Sequence, residues 1–131
     1  MPNSPSAPQP PWLRGPIAGI PALLQPVAHA LVDADEDTRK ALAGLTAEQL
    51  NRRPGSAASA YHVKHAMGSL DRLFTYARGE ALSAEQTAAL VAERTMHERT
   101  FEPKGLAVEF SAAIERAHEQ LRATTAKVVQ G

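Results

Sequence analysis

The chain has 131 residues with 14 acidic and 14 basic side chains, so its formal net charge is zero. This length suits one domain, and the balanced charge argues against capture of nucleic acid or of an anionic membrane. The sequence contains no cysteine, which excludes a disulfide-stapled scaffold and a thiolate zinc site.

The N-terminal segment is rich in proline, with six of the ten prolines in the first 16 residues. Proline lacks a backbone N–H and fixes φ, so residues 1–11 are predicted to form a disordered tail and residues 12–131 a single domain. Trp12 is expected to dock on the domain edge, because a large aromatic ring gains burial energy only when it is covered.

The N-terminal segment lacks the basic-then-apolar layout of a signal peptide. No apolar run approaches the roughly 20 residues of a membrane span, so we expect a cytoplasmic protein.

A first amphipathic helix is predicted from Ile20 until Gly44 ends it. Its apolar stripe, at 3.6 residues per turn, comprises Ile20, Leu23, Leu24, Val27, Leu31, Ala34, Thr38, Leu42 and Leu45. Thr46 and Gln49 then fit a capping box that opens a short helix. The following stretch RRPGSAAS is predicted to be a loop, because it contains a Pro-Gly pair.

Two more long helices are predicted, over residues 59–78 and from Leu106 onward. Gly79 fits the C-terminal stop of the first, and Ser83 with Gln86 fits a second capping box opening a short helix through about residue 91. Residues 94–105 look irregular. The stripe of the last helix is Leu106, Phe110, Ala113, Ile114, Ala117 and Leu121. The predicted class is all-α, an up-down helical bundle with three long helices and short connecting helices.

The stretch AYHVKHAMGSLDRLFTYARGE places His62 and His65 three residues apart on the second long helix. His65, Ser69, Arg72 and Tyr76 share one line along it, because they follow i, i+4, i+7 and i+11 spacing. This polar line is either a solvated face or one wall of a cleft in which imidazole binds a metal and the other side chains orient a substrate. A lone H-x-x-H is a weak signal, because a catalytic metal site needs a third ligand.

The remaining histidines are weaker ligand candidates. His29 lies roughly opposite the apolar stripe of the first helix and is predicted to be exposed. His97 falls in the irregular connector. His118 is predicted to be a partly solvated residue on the flank of the last helix, and it is the best source of a third ligand within the chain.

Three stretches resemble the DinB-like (damage-inducible) family: WLRGPIAGIPALLQPVAHAL, ALAGLTAEQLNRRPGSAAS and HVKHAMGSLDRLFTYARGEALSAEQ. The resemblance covers about residues 12–90 well and the last long helix loosely. It implies a four-helix bundle, often a homodimer, with a divalent metal held by three histidines, for which zinc and nickel are the candidates. Some members use small-molecule thiols as substrates. His65 matches the ligand of the second helix, and His62 is its neighbour.

The sequence departs from this family at its last helix, whose H-x-x-x-H segment would supply the other two ligands and is not found here. The resemblance therefore implies a bundle of a metal-dependent, thiol-using family with an incomplete metal site, and leaves enzymatic activity open. Within such a site Arg72 would hold an anionic substrate group, and Tyr76 would donate a hydrogen bond beside Ser69. Uncovered apolar stripes predict self-association as a homodimer. The alternative is a non-catalytic helical binding or assembly module.

Overall fold

A computed structural model describes residues 9–52 and 59–124, and all regular structure within these ranges is helical. The five α-helices are α1 (Gln25–Ala43), α2 (Ala47–Asn51), α3 (Ser59–Ala77), α4 (Ala84–Ala92) and α5 (Pro103–Ala123). Three 3-10 turns occupy Pro11–Leu13, Ala22–Leu24 and Glu93–Glu98. The all-α prediction is confirmed. No helix in the described ranges combines the length and hydrophobicity that crossing a bilayer would require.

The core is built on α5, against which both α1 and α3 pack. All six apolar positions predicted for its stripe are buried. At one end of the helix Leu106 packs in a cluster with Leu42, Leu50 and Ala60. At the other end Leu121 packs with Ile20 and Ala28, and Phe74 of α3 covers this second cluster. The chain segment of α4 and the 3-10 turn Glu93–Glu98 lies against α3.

The helix ends follow the predicted local signals. In both capping boxes the hydroxyl accepts from the N3 backbone, with Thr46 Oγ1 3.1 Å from Gln49 N and Ser83 Oγ 3.1 Å from Gln86 N. Each glutamine side chain accepts in return from the backbone N–H of the capping residue. After α3, Gly79 adopts φ +79°, where a residue without a Cβ is favoured.

Two helix starts differ from the predictions. α1 begins at Gln25 rather than Ile20, because Ala22–Leu24 forms a 3-10 turn after Pro21, and Pro26 takes a position in the first α-helical turn. α5 begins at Pro103, before Leu106, since proline is well suited to a first helical position. The 3-10 turn Glu93–Glu98 occupies part of the stretch predicted to be irregular.

The segment before α1 is tied to that helix by polar contacts. Both guanidinium Nη atoms of Arg14 donate to the Glu36 carboxylate, at 2.7 and 2.8 Å. The side chain of Gln25 bonds to both backbone groups of Ile17. The turn Pro11–Leu13 packs against α1, but Trp12 itself is 55% exposed, so its ring is less covered than predicted. Residues 1–8 of the predicted tail lie outside the described residues.

Two histidines predicted to be exposed or partly solvated are buried. His29 is 8% exposed and His118 is 6% exposed. Nε2 of His29 lies 2.9 Å from the carbonyl oxygen of Gly15, and Nε2 of His118 lies 3.0 Å from that of Ala28. Each imidazole is accommodated in the interior because its polar edge finds a backbone partner there.

Candidate functional site

The polar line of α3 meets a carboxylate from the 3-10 turn that follows α4. His65 Nδ1 lies 2.7 Å from Glu93 Oε1, and Arg72 Nη1 donates to Glu93 Oε2 at 2.8 Å. The Glu93 side chain is only 9% exposed. These three residues, the His65–Arg72–Glu93 cluster, bring together two of the residues predicted to form a site.

The other residues of the line differ in their surroundings. Arg72 Nη2 donates to Ser69 Oγ at 3.3 Å, so Ser69 joins the edge of the cluster. Tyr76 is 54% exposed, one turn beyond Arg72. Tyr61, which precedes the line, stacks on the His65 ring with centroids 5.7 Å apart and an interplanar angle of 5°. The exposed His62 meets the same tyrosine edge-on at 5.6 Å.

A glycine makes room for the buried carboxylate. A Cβ at Gly68 would lie 2.4 Å from Glu93 Oε2 and 2.9 Å from Arg72 Nη1. Both separations are shorter than a carbon can tolerate. The helix therefore lacks a side chain at the position where the carboxylate comes closest to it.

The electrostatics of the cluster keep Glu93 ionised at neutral pH. Burial raises the pKa of this carboxyl, but the hydrogen bonds from His65 and Arg72, together with the positive charge of Arg72, lower the pKa by a larger amount. The net pKa lies below the ordinary value. An ionised carboxylate only accepts hydrogen bonds, so Nδ1 of His65 is the donor.

The second ring nitrogen of His65 is left for an outside partner. In a neutral ring whose Nδ1 carries the proton, Nε2 carries the lone pair that a metal would use. The His65 side chain is 48% exposed, and Nε2 makes no hydrogen bond in the described part of the chain. The ring can therefore be reached from solvent.

The residues present do not form a complete metal site. Among the described residues, no three histidine or carboxylate side chains are grouped so that they could hold a metal ion. Glu93 directs its two oxygens at His65 and Arg72, while the Nε2 of His118 is engaged with a backbone carbonyl. The described residues therefore offer a metal one ligand, the imidazole of His65 with its ring orientation fixed. A complete site would need further ligands from elsewhere.

Sequence reasoning missed Glu93, which lies 28 residues after His65. The nearest signal was Gly68, a glycine inside a helix between His65 and Arg72, because such a glycine often marks a close approach by another group. The identity of the approaching residue could not be inferred from it.

Comparisons of the chain with protein-family models, with curated proteins and with solved structures find no match.

Proposed function

We propose that this chain is a DinB-like bundle of the four-helix type, from a divalent-metal-dependent, thiol-using family, in which His65 is one ligand of a metal site. The observation that carries the proposal is the 2.7 Å contact between His65 Nδ1 and Glu93 Oε1. Histidines that bind metals almost always donate their other ring N–H to such a partner, which fixes the tautomer and the ring orientation.

The remaining ligands are proposed to come from a second copy of the chain, because residues 1–8, 53–58 and 125–131 contain no histidine, aspartate or glutamate. Zinc or nickel accepts imidazole nitrogen, and either metal would also hold a small-molecule thiol as its thiolate. His62 is the nearest further imidazole in the sequence. Tyr76 is the exposed candidate for contact with the substrate, while Arg72, supported by Ser69, holds Glu93 in place.

A homodimer is proposed because large apolar side chains lie on outer surfaces of helices that flank α5. Leu23, just before α1, is 67% exposed and Leu73 of α3 is 63% exposed. A second copy would cover such side chains, at roughly 25 cal/mol per Å² of apolar surface removed from water.

A non-catalytic helical binding or assembly module is the second candidate. It is favoured by the lack of any three-ligand group among the described residues. This candidate requires the same association but no metal, so the two proposals differ in a measurable quantity.

The experiment is elemental analysis after loading with zinc or nickel and extensive dialysis, together with sedimentation velocity at micromolar concentration. The metal-dependent proposal predicts stoichiometric metal that is lost in His65→Ala and retained in Asp37→Asn, a control at an exposed carboxylate outside the cluster. A dimer that retains no metal supports the assembly module. A monomer without metal would refute both proposals.

A further inference from the structure

The face of α3 that points away from α4 and α5 carries no aspartate, glutamate, lysine or arginine. The helix has three such residues, and each bonds to α4, to α5 or to the turn Glu93–Glu98: Lys64, Asp71 and Arg72. The outward stripe of α3 consists of His62, Ala66, Ser69, Leu73 and Tyr76. Within it Leu73 is 63% exposed and Tyr76 is 54% exposed. Charged residues are depleted at the cores of protein interfaces, so an open helix face without them indicates an interface.

The order of residue sizes along the outward stripe favours pairing with a second copy of the same helix. Successive members are four, three, four and three residues apart, which is the spacing of the contact positions in paired helices. The small Ala66 and Ser69 come before the large Leu73 and Tyr76. When two copies run antiparallel about a two-fold axis level with residue 71, Ala66 lies opposite the partner's Tyr76, and Ser69 lies opposite the partner's Leu73. Each small residue then meets a large one, whereas parallel pairing would place small on small and large on large.

The same register brings a tyrosine to His65. Within one chain Tyr76 lies 11 residues after His65, which is about 16 Å along a helix at 1.5 Å per residue. A small thiol cannot contact both side chains of one copy. In the antiparallel pair the partner's Tyr76 enters the four-residue hole that receives a side chain in such packing, and this hole is formed by His62, His65, Ala66 and Ser69.

We infer that two copies associate antiparallel through the outward stripe of α3, and that the partner's Tyr76 completes the site at His65. The inference rests on the proposed homodimer and names its interface, its register and the residue that crosses it. Because the pair is two-fold symmetric, each His65 receives a tyrosine from the other copy. The phenol supplies an oxygen that donates or accepts a hydrogen bond beside the exposed imidazole, which a single chain does not supply.

The first test is sedimentation equilibrium of the full chain and two variants. Leu73→Glu places a charge in the outward stripe and should raise the dimer dissociation constant at least about thirtyfold, the loss expected for a hot spot of about 2 kcal/mol. Val108→Glu is the matched control, because Val108 of α5 is an apolar residue with a similar exposure of 69%. Circular dichroism of both variants establishes that the helices are retained.

The second test measures the register by cross-linking, and the chain has no cysteine of its own. Ala66→Cys and Ala77→Cys are made in separate chains, one with a size tag, and both positions are exposed. In the inferred register position 66 lies beside the partner's position 77. Two copies of position 66 are about 15 Å apart along the helices and two copies of position 77 about 18 Å, beyond the reach of a disulfide. Oxidation of the mixture should therefore give a disulfide-linked heterodimer, and oxidation of either variant alone should not give a linked homodimer.

The third test is a nuclear Overhauser effect between the His65 ring and the Tyr76 ring in the wild-type protein. The separation within one chain is too long for this effect, so a signal reports the contact between copies. Its absence from a dimer would overturn the completion of the site by Tyr76.

The outcomes separate the inference from the homodimer on which it rests. A dimer of unchanged affinity in Leu73→Glu would overturn the interface and leave the homodimer standing. Linked homodimers of the single-cysteine variants, with no heterodimer in the mixture, would overturn the antiparallel register. A wild-type monomer at micromolar concentration would refute both the inference and the homodimer.

Discussion

Replacing Gly68 with alanine tests whether the His65–Arg72–Glu93 cluster is formed as described. In an exposed helix interior, glycine to alanine stabilises by about 1 kcal/mol, because alanine loses less backbone entropy on folding. At this position the new Cβ would lie 2.4 Å from Glu93 Oε2. The carboxylate must therefore move, and its bonds to Arg72 and His65 must lengthen or break.

The two effects have opposite signs, and their magnitudes decide the outcome. A hydrogen bond to a charged group is worth about 1.5–3 kcal/mol, and the nearly buried Glu93 accepts two of them. Loss of one such bond exceeds the gain in helix propensity. We expect Gly68→Ala to lower the free energy of unfolding by about 0.5–2 kcal/mol, the difference between these two magnitudes.

In the Glu93→Ala background, Gly68→Ala should instead stabilise the protein by about 1 kcal/mol, because Glu93 Oε2 is gone and the Arg72 side chain, no longer held by that carboxylate, can move away from the new Cβ. The assay is urea unfolding followed by far-UV circular dichroism for the wild type, both single variants and the double variant. A change of sign between the two backgrounds is the expected signature. If Gly68→Ala stabilises the wild type, Glu93 does not lie against α3 as described.

Three further predictions concern stability. In Glu93→Gln, stability should fall less steeply between about pH 5 and pH 3 than in the wild type. The lowered pKa of Glu93 stabilises the fold at pH values above the ordinary glutamate pKa of about 4.3, and this contribution is lost on acidification. Urea unfolding over this pH range measures the difference, and parallel stability profiles would contradict the prediction. Leu50→Ala should cost about 2–5 kcal/mol, since Leu50 is fully buried, while Leu90→Ala, at a 39% exposed position, should cost less than about 1 kcal/mol in the same assay; equal costs would contradict the assigned core. Ser83→Ala should cost about 0.5–2 kcal/mol through loss of the cap, measured by thermal unfolding against the exposed Thr87→Ala, and an unchanged midpoint would contradict this role.

The parts of the fold that were predictable from sequence depend on residues close together in the chain. Each capping box joins residues three apart, and both are formed. The stripe of α5 follows from helical periodicity alone, and its members are buried. Gly79 is recognisable as a helix stop because few other residues adopt its φ.

The parts that were not predictable depend on partners far away in sequence. Periodicity placed His29 on an exposed face, but Gly15, 14 residues earlier, covers it and accepts its hydrogen bond. His118 is buried for the same reason, with a partner 90 residues away. Side-chain periodicity describes one helix at a time, so it contains no information on which backbone carbonyl another segment brings to that helix.

The polar line of α3 was predictable from the spacing within one helix, whereas its partner Glu93 was not. A role of this line in metal binding can be separated by experiment from a purely structural role. Arg72 alone supplies a charge that balances the buried Glu93, so the bond from His65 is not needed to neutralise that carboxylate. The bond from His65 also fixes the orientation of the imidazole ring, so that Nε2 lies on the side of the ring away from Glu93. If the bond is only structural, Glu93→Gln lowers the stability and leaves the affinity for zinc or nickel unchanged. If it orients a ligand, the affinity falls about 10–100-fold, as is typical for such outer partners, while the fold is retained.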